Sequence, residues 1–428
     1  NSQNQTSNFE STKLYNMKYF VMGFGCFFTA TTLFAQQPEK AEYREPKGNY
    51  YQDVILPDVN KSESSKTTKD ARLFKIDGTG INAPKDPKSY NTIWHGNPVS
   101  QGNTNTCWCF STISFFESET KRTSGNEIKL SEMYVVYWQY VERAKYFVAH
   151  RGDMYFGEGS ETNGTTNMIK QYGIVPYDNY KGKTSTASFY NHETMFKELQ
   201  AYLQGVKTNN NWNENEVVNS VKAILNFYMG EPPTSVTWEN KNYTPLEFVK
   251  NVLKLDMNNY VDFMSLMQKP FYTQAEYDVP DNWWNDATYY NLPATDFMST
   301  IKTALKNGYS ISIGGDVSEP GWDSYNNIAV IPTWDISSEY INDAARQLRF
   351  NNGSTTDDHA MHLVGYKEQD GKTWFLYKDS GSGSRNCGAA SPSFGYLYVS
   401  EDYVKLKMMS FTVHKDAVKP ILEKFSSK

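Results

Sequence analysis

Apolar residues recur at helical spacing as far as residue 307, and beyond residue 310 they gather in short β-rich runs. Phe110, Ile113, Phe115 and Phe116 follow a polar loop, 101–106, and predict a buried helix that begins at or just before Cys107. Residues 130–147 predict a second, aromatic helix with Ser131 as its N-cap. Residues 157–164 read as a glycine-containing loop, and 165–172 as a short helix closed by Gly173 and Pro176. Amphipathic patterns follow at 193–204 and 214–229, the second stopped by the Gly230-Glu231-Pro232-Pro233 run. Thr244 caps a further helix with Pro245 at its first position, and 295–307 predicts another with Gly308 past its end. Strands are expected at 310–317, 359–366, 373–378, 395–400 and 409–413, with Gln369-Asp370-Gly371 as a hairpin turn. No repeat is visible. The pattern is α+β: a helical part at about 100–300, a strand-rich part at about 308–415 and a tail at 415–428.

The chain upstream reads differently. Residues 1–16 are polar and form an extension outside the fold. Lys18, the apolar run 19–34 and Ala35 have the order of a cleavable secretory signal peptide, 17–35, and the run is shorter than the roughly 20 apolar residues of a membrane span. Cys26 lies inside it. Residues 36–70 are polar and predict a flexible leader, and the domain proper runs from 71 to 428. The expected location is therefore secreted or periplasmic, with no stable membrane anchor.

Composition narrows the function. The 428 residues are 15 % aromatic, which suits large cores and binding surfaces. A net charge of −6 gives no reason to expect nucleic-acid binding. Cys26, Cys107, Cys109 and Cys387 are too few for a disulfide framework, although a bridge between Cys109 and Cys387 suits an oxidising compartment. A metal site from Cys107-x-Cys109 and His359-x2-His362 has poor spacing, because neighbouring helical thiols splay apart; neither a metal nor another cofactor is expected.

Cys107 carries the candidate chemistry. A thiol at a helix N-terminus sits among unpaired N–H groups and the positive end of the helix dipole, which favours the nucleophilic thiolate. Gln101, six residues earlier, is placed to donate to an oxyanion. Among the six histidines, His359 and His362 lie three apart on one expected strand, so they point to opposite faces and at most one aims at Cys107.

Gln101 and the Cys107-Trp108 pair before a helix resemble the papain-like cysteine peptidases. Asp358-His359-Ala360 is similar to the run that carries the base in that family, which implies that His359 is the base and His362 a packing or solvent-facing residue. Asp379, in Asp379-Ser380-Gly381, stands where the family has Asn, and Gly381 where it has Trp. The resemblance implies that Asp379 orients His359, with the contact open to water for want of the indole. Thr104 replaces the papain Cys that forms a bridge.

The ordered segments 130–147, 163–180, 230–239, 244–248, 312–317, 358–361 and 395–404 resemble the bleomycin hydrolase and aminopeptidase C branch. That resemblance implies a papain-like fold with a helical lobe, an antiparallel β lobe and a cleft between them. It implies peptide substrates, bound in part by Asn163, Gly164 and Trp108. Aminopeptidase activity and a homo-oligomer, often a hexamer with inward-facing sites, are implied too. In that branch the C-terminus blocks the cleft, whereas the tail here differs and carries several Lys, so exopeptidase and endopeptidase action both stay open. A secreted binding protein that keeps the fold and has lost the activity is the remaining alternative.

Overall fold

The computed structural model describes residues 40–44, 48–59 and 72–426. The signal-peptide reading, with Cys26, falls outside the described residues.

Helix α1, Cys107–Ser124, runs through the middle of the molecule. Every residue from Trp108 to Thr120 is buried, including its Ser, Thr and Glu side chains, so this helix is covered on all sides. Gly125, at φ 79°, ends it by donating to the Lys121 carbonyl. Against it pack α2 (Glu132–Ala149) and α3 (Thr162–Tyr172), while α5 (Glu214–Met229) packs on α2 and α4 (Glu193–Thr208) on α5. Ser131 caps α2 by accepting from the Tyr134 N–H. The aromatic residues of α2, with Leu199, Leu203, Val221 and Leu225, form the helical core.

The second layer is an eleven-stranded sheet. Its main strands are β1 (Tyr260–Met264), β2 (Tyr289–Asn291), β3 (Ile311–Gly315), β4 (His359–Gln369), β5 (Lys372–Lys378), β6 (Tyr396–Ser400) and β7 (Met408–His414). They lie in the order β6-β5-β4-β3-β7-β1-β2. Strands β4 and β5 form a hairpin whose turn residues, Asp370 and Gly371, both have positive φ (52° and 75°), as a tight two-residue turn requires.

Strand alternation sorts the two faces of the sheet. Ile311, Ile313, Met361 and Leu363 enter a second core with Phe297, Phe375 and Phe411. Ser312 and His362, opposite each other in register, face α1 and bond Thr112 and Ser114. Helices α6 (Ala294–Lys306), α7 (Asp343–Asn351), α8 (Glu401–Lys407) and α9 (Lys419–Ser426) complete the described fold.

Several expectations are corrected. The long strands begin at Tyr260 rather than near residue 308, because β1 pairs with the last long strand, β7, and a two-residue strand, Asn91–Thr92, joins the sheet from earlier in the chain. Helix α6 therefore packs in the β-lobe core, and α7 was not foreseen at all. Helix α3 starts at Thr162, three residues early. Thr244 does form a capping box with Glu247, but the α-helical turn ends at Phe248.

Parts of the supposedly flexible leader are placed. Ala41–Arg44 pairs with Leu73–Ile76, and within 48–59 the Tyr51 hydroxyl donates to Asn103 Oδ1 at 2.7 Å. The tail lies on the outer face of the sheet, with the Phe425 ring 4.8 Å from that of Tyr290 and Ile421 in the β-lobe core. That is the face away from α1.

Candidate active site

Cys107 is the first residue of α1 and is partly exposed. The Thr106 hydroxyl lies 2.6 Å from that of Thr104 and does not cap the helix. The Cys109 and Phe110 N–H groups donate to the Thr106 carbonyl, so among the described residues the Cys107 and Trp108 N–H groups are the ones open to an anion.

His359 opens β4, and its Nε2–H donates to Asp379 Oδ1 at 2.7 Å. The remaining ring nitrogen, Nδ1, is left for the Cys107 thiol, the ring's other hydrogen-bonding neighbour. Burial works against a charged imidazole, but the charges of Asp379 and Cys107 outweigh it and hold His359 well above its ordinary pKa. Asp379 lies just past β5. Burial disfavours its charge too, yet His359, Arg385 and the Gly381 N–H together keep it far below the usual carboxylate range.

The contact is sealed, contrary to the expectation drawn from the missing Trp. The side chain of Asp379 is 1 % exposed and that of His359 12 %. Gly381 lies so close over the pair that a Cβ there would stand 3.2 Å from both the His359 ring and Asp379 Oδ2. Arg385, itself buried, donates to the carbonyls of Asp379 and Val99 at 2.9 Å each, and also to the Gly381 carbonyl. A guanidinium tie and close backbone thus do the work of an aromatic cover.

Gln101 links this loop to the helix. Its backbone N–H donates to the Ser380 carbonyl at 3.0 Å, and its side-chain oxygen accepts from the Ser380 hydroxyl at 2.8 Å. The amide nitrogen donates to the Thr104 carbonyl at 2.7 Å. One amide hydrogen is thereby used and the other is left over.

The expected substrate contacts are rearranged. Trp108 is 1 % exposed and donates its indole N–H to the Glu158 carbonyl at 3.1 Å, so it packs in the helical core and holds the 157–161 loop rather than meeting a substrate. Asn163 and Gly164 lie inside α3, buried. The Asn163 amide donates to Asp286, and a Cβ on Gly164 would meet the Trp284 ring. Helix formation from Thr162 removes both from the loop.

The segment beside Cys107 is instead 157–161. Glu158 accepts from Asn105 at 2.9 Å and from the Tyr140 hydroxyl at 3.0 Å. Arg143 donates to the carbonyls of Gly157 and Gly159. The acids of Gly157-Glu158-Gly159-Ser160-Glu161 were the available sequence signal, and Arg385 and Arg143 had none.

His362 is buried against α1, 2.7 Å from Ser114, with burial pushing its pKa well down. Cys109 donates to the Glu132 carbonyl at 3.2 Å inside the helical core, and Cys387 lies near Asn327. The expected Cys109–Cys387 bridge is absent, and both thiols are free.

The described arrangement is a thiol, an imidazole and a carboxylate in series beside uncapped helix N–H groups. It suits acyl transfer through sulfur.

Residues 157–427 match the model of the Peptidase C1-like family, a span that includes His359 and Asp379 and begins after Cys107. A bleomycin hydrolase of Gallus gallus is 24 % identical over 381 residues, 76 % of this chain and 81 % of the relative. An aminopeptidase C of Lactobacillus helveticus is 23 % identical over 390 residues, 79 % of this chain and 84 % of the relative. The crystal structure of PepW from Lactobacillus rhamnosis shares the fold at TM-score 0.64 and 16 % identity, covering 80 % of this chain and 85 % of that one.

Proposed function

The chain belongs to the Peptidase C1-like family and is a cysteine-type peptidase, and on that footing we propose that it is a thiol aminopeptidase acting on short peptides through Cys107, His359 and Asp379. The observation that carries the reading is the position of His359, bonded to Asp379 at 2.7 Å on one side and neighbouring the Cys107 thiol on the other. His359 takes the thiol proton, and Cys107 sulfur attacks the peptide carbonyl. The oxyanion is held by the Cys107 N–H and by the spare amide hydrogen of Gln101. The imidazolium then gives its proton to the leaving amine, which departs and leaves a thioester on Cys107. Water, deprotonated by His359, releases the acid and restores the thiol.

The aminopeptidase reading comes from the relatives named aminopeptidase C and bleomycin hydrolase. One observation favours endopeptidase action instead: the described tail packs on the outer face of the sheet, with Ile421 in the β-lobe core and Phe425 against Tyr290. Mass spectrometry of digests of one peptide, with its amine free or acetylated, tests the choice. An aminopeptidase sheds single N-terminal residues from the free form and spares the acetylated one. Equal internal cleavage of both would establish the endopeptidase. We further propose, from residues 17–35, that the enzyme works outside the cytoplasm on imported or external peptides; fractionation of producing cells tests it.

A further inference from the structure

Close to the candidate base in sequence, carboxylates converge in excess of the cations near them. Asp357 lies two residues before His359, the first residue of β4. Gly314 pairs with Ala360, the residue after His359. A Cβ on Gly314 would stand 3.3 Å from Asp357 Oδ1 and 3.1 Å from the Ser410 hydroxyl, so the bare glycine leaves room there. Ser410 in turn lies 3.5 Å from Glu161 Oε2. On the other flank the Asp281 carboxylate presses on Gly159, where a Cβ would collide with it.

Among the described residues Glu161, Asp281 and Asp357 form no ion pair within 4.0 Å. Arg143 stands by Asp281 and Glu158 and favours the charged form of Asp281, while its terminal N–H groups donate to the carbonyls of Gly157 and Gly159. Asp262 is satisfied by the Thr412 hydroxyl.

A second observation is independent of the acids. The Tyr289 hydroxyl is fully buried, has no hydrogen-bond partner and faces the same group, with Glu161 its foremost charged neighbour. Tyr277 stands beside it against Asp357. Asp281 and Asp357 are half-buried and reach solvent, while Glu161 forms the floor. Burial, then mutual repulsion, pushes Glu161 up, and Asp357 rises to about 6. A bound cation would relieve both effects.

We propose that Glu161, Asp281 and Asp357 form a cation-binding subsite of this peptidase, which takes an ammonium or guanidinium group of the peptide substrate. The proposal rests on the peptidase reading and adds the substrate class. The cation has two possible sources, a Lys or Arg side chain or the free N-terminal amine.

Internally quenched hexapeptides separate them. One series carries Lys at each position in turn against norleucine, and a second compares free with acetylated N-termini. In the parent, one Lys position or the free amine should raise kcat/KM at least about ten-fold over its neutral counterpart, the equivalent of about 1.4 kcal/mol. In Glu161→Gln and in Asp357→Asn that ratio should collapse toward one, whereas Glu193→Gln, an exposed acid elsewhere, should keep it. A ratio of one in the parent, or a ratio retained in both site variants, overturns the proposal.

Should Glu161→Gln fail to fold, Asp357→Asn and Asp281→Asn carry the test. Should no peptide be cleaved, the peptidase reading falls, and the subsite is read by titrating the same peptides into Cys107→Ala protein. Tighter binding of the cationic member, lost on Asp357→Asn, supports the subsite; equal binding of both members overturns it.

Discussion

The Nε2–H of His359 donates to the Asp379 carboxylate at 2.7 Å in a contact from which water is nearly excluded. Asp379 therefore orients the ring and favours its charged form. The imidazolium is held to higher pH than in a free histidine and is lost as the pH rises through the raised pKa. Asp379→Asn keeps a polar partner but removes the charge, so the alkaline limb of kcat/KM should move to lower pH by about one unit or more. Asp379→Ala should lower kcat/KM by on the order of 10²-fold. A pH–rate profile of Asp379→Asn identical to the parent's would contradict the pairing.

Arg385 is predicted to hold the Asp379 loop in place. Its guanidinium donates to the carbonyls of Val99, Asp379 and Gly381, and each would lose a buried donor in Arg385→Met. The variant should lose about 2–4 kcal/mol in urea unfolding. A loss under about 0.5 kcal/mol, the level of a surface substitution, would deny the tie.

The carboxylates beside the site should weaken the fold as the pH rises through about 6 to 7. Asp357 is pushed up to about 6 and Asp262 to about 7, first by burial and then by neighbouring acids. Such a group binds its proton more tightly folded than unfolded. Its contribution to stability is complete below the unfolded pKa of about 3.9 and is lost as the pH climbs through the folded value. Asp357→Asn is neutral throughout, so its melting point should exceed the parent's by about 2–4 °C at pH 8 and approach it at pH 4. Parent and variant melting together at pH 8 would remove the electrostatic argument for crowding.

The tail has a structural role in this fold. Phe425 packs on Tyr272 and Tyr290, and Lys424 pairs with Asp296 on α6. Phe425→Ala should cost about 2 kcal/mol, roughly half the loss of a fully buried ring. Removing residues 426–428 should leave the ratio of free-amine to acetylated peptide cleavage unchanged. A shifted ratio would give this segment a part in substrate selection.

Local signals were legible where a single element decides the outcome. Ser131 before an aromatic run, Thr244-Pro245 with Glu247, and Asp370-Gly371 between alternating strands each specify their own backbone. Cys107 could be nominated from its place at a helix start, and His359 and Asp379 from the family resemblance of their runs, and the structure brings the three together. What failed depends on distant partners. The residues 260–264 become a strand only because β7 lies beside them. Trp108 adjoins Cys107 in sequence, but packing turns its ring into the core. Asn163 and Gly164 were assigned to a loop that α3 consumes. Arg385 acts on carbonyls, which carry no sequence signature. Asp281 reaches the site from a segment far along the chain, so the acidic group was invisible as a unit.

The most direct test of the central claim is the intact mass of the reduced, folded protein after incubation with a thiol-directed peptidase epoxide at neutral pH. The parent, Cys107→Ala and His359→Ala are compared. The account predicts one adduct on the parent, none on Cys107→Ala and strongly slowed labelling of His359→Ala, with Cys109 and Cys387 unmodified. An unlabelled parent, or equal labelling of the parent and Cys107→Ala, would contradict it.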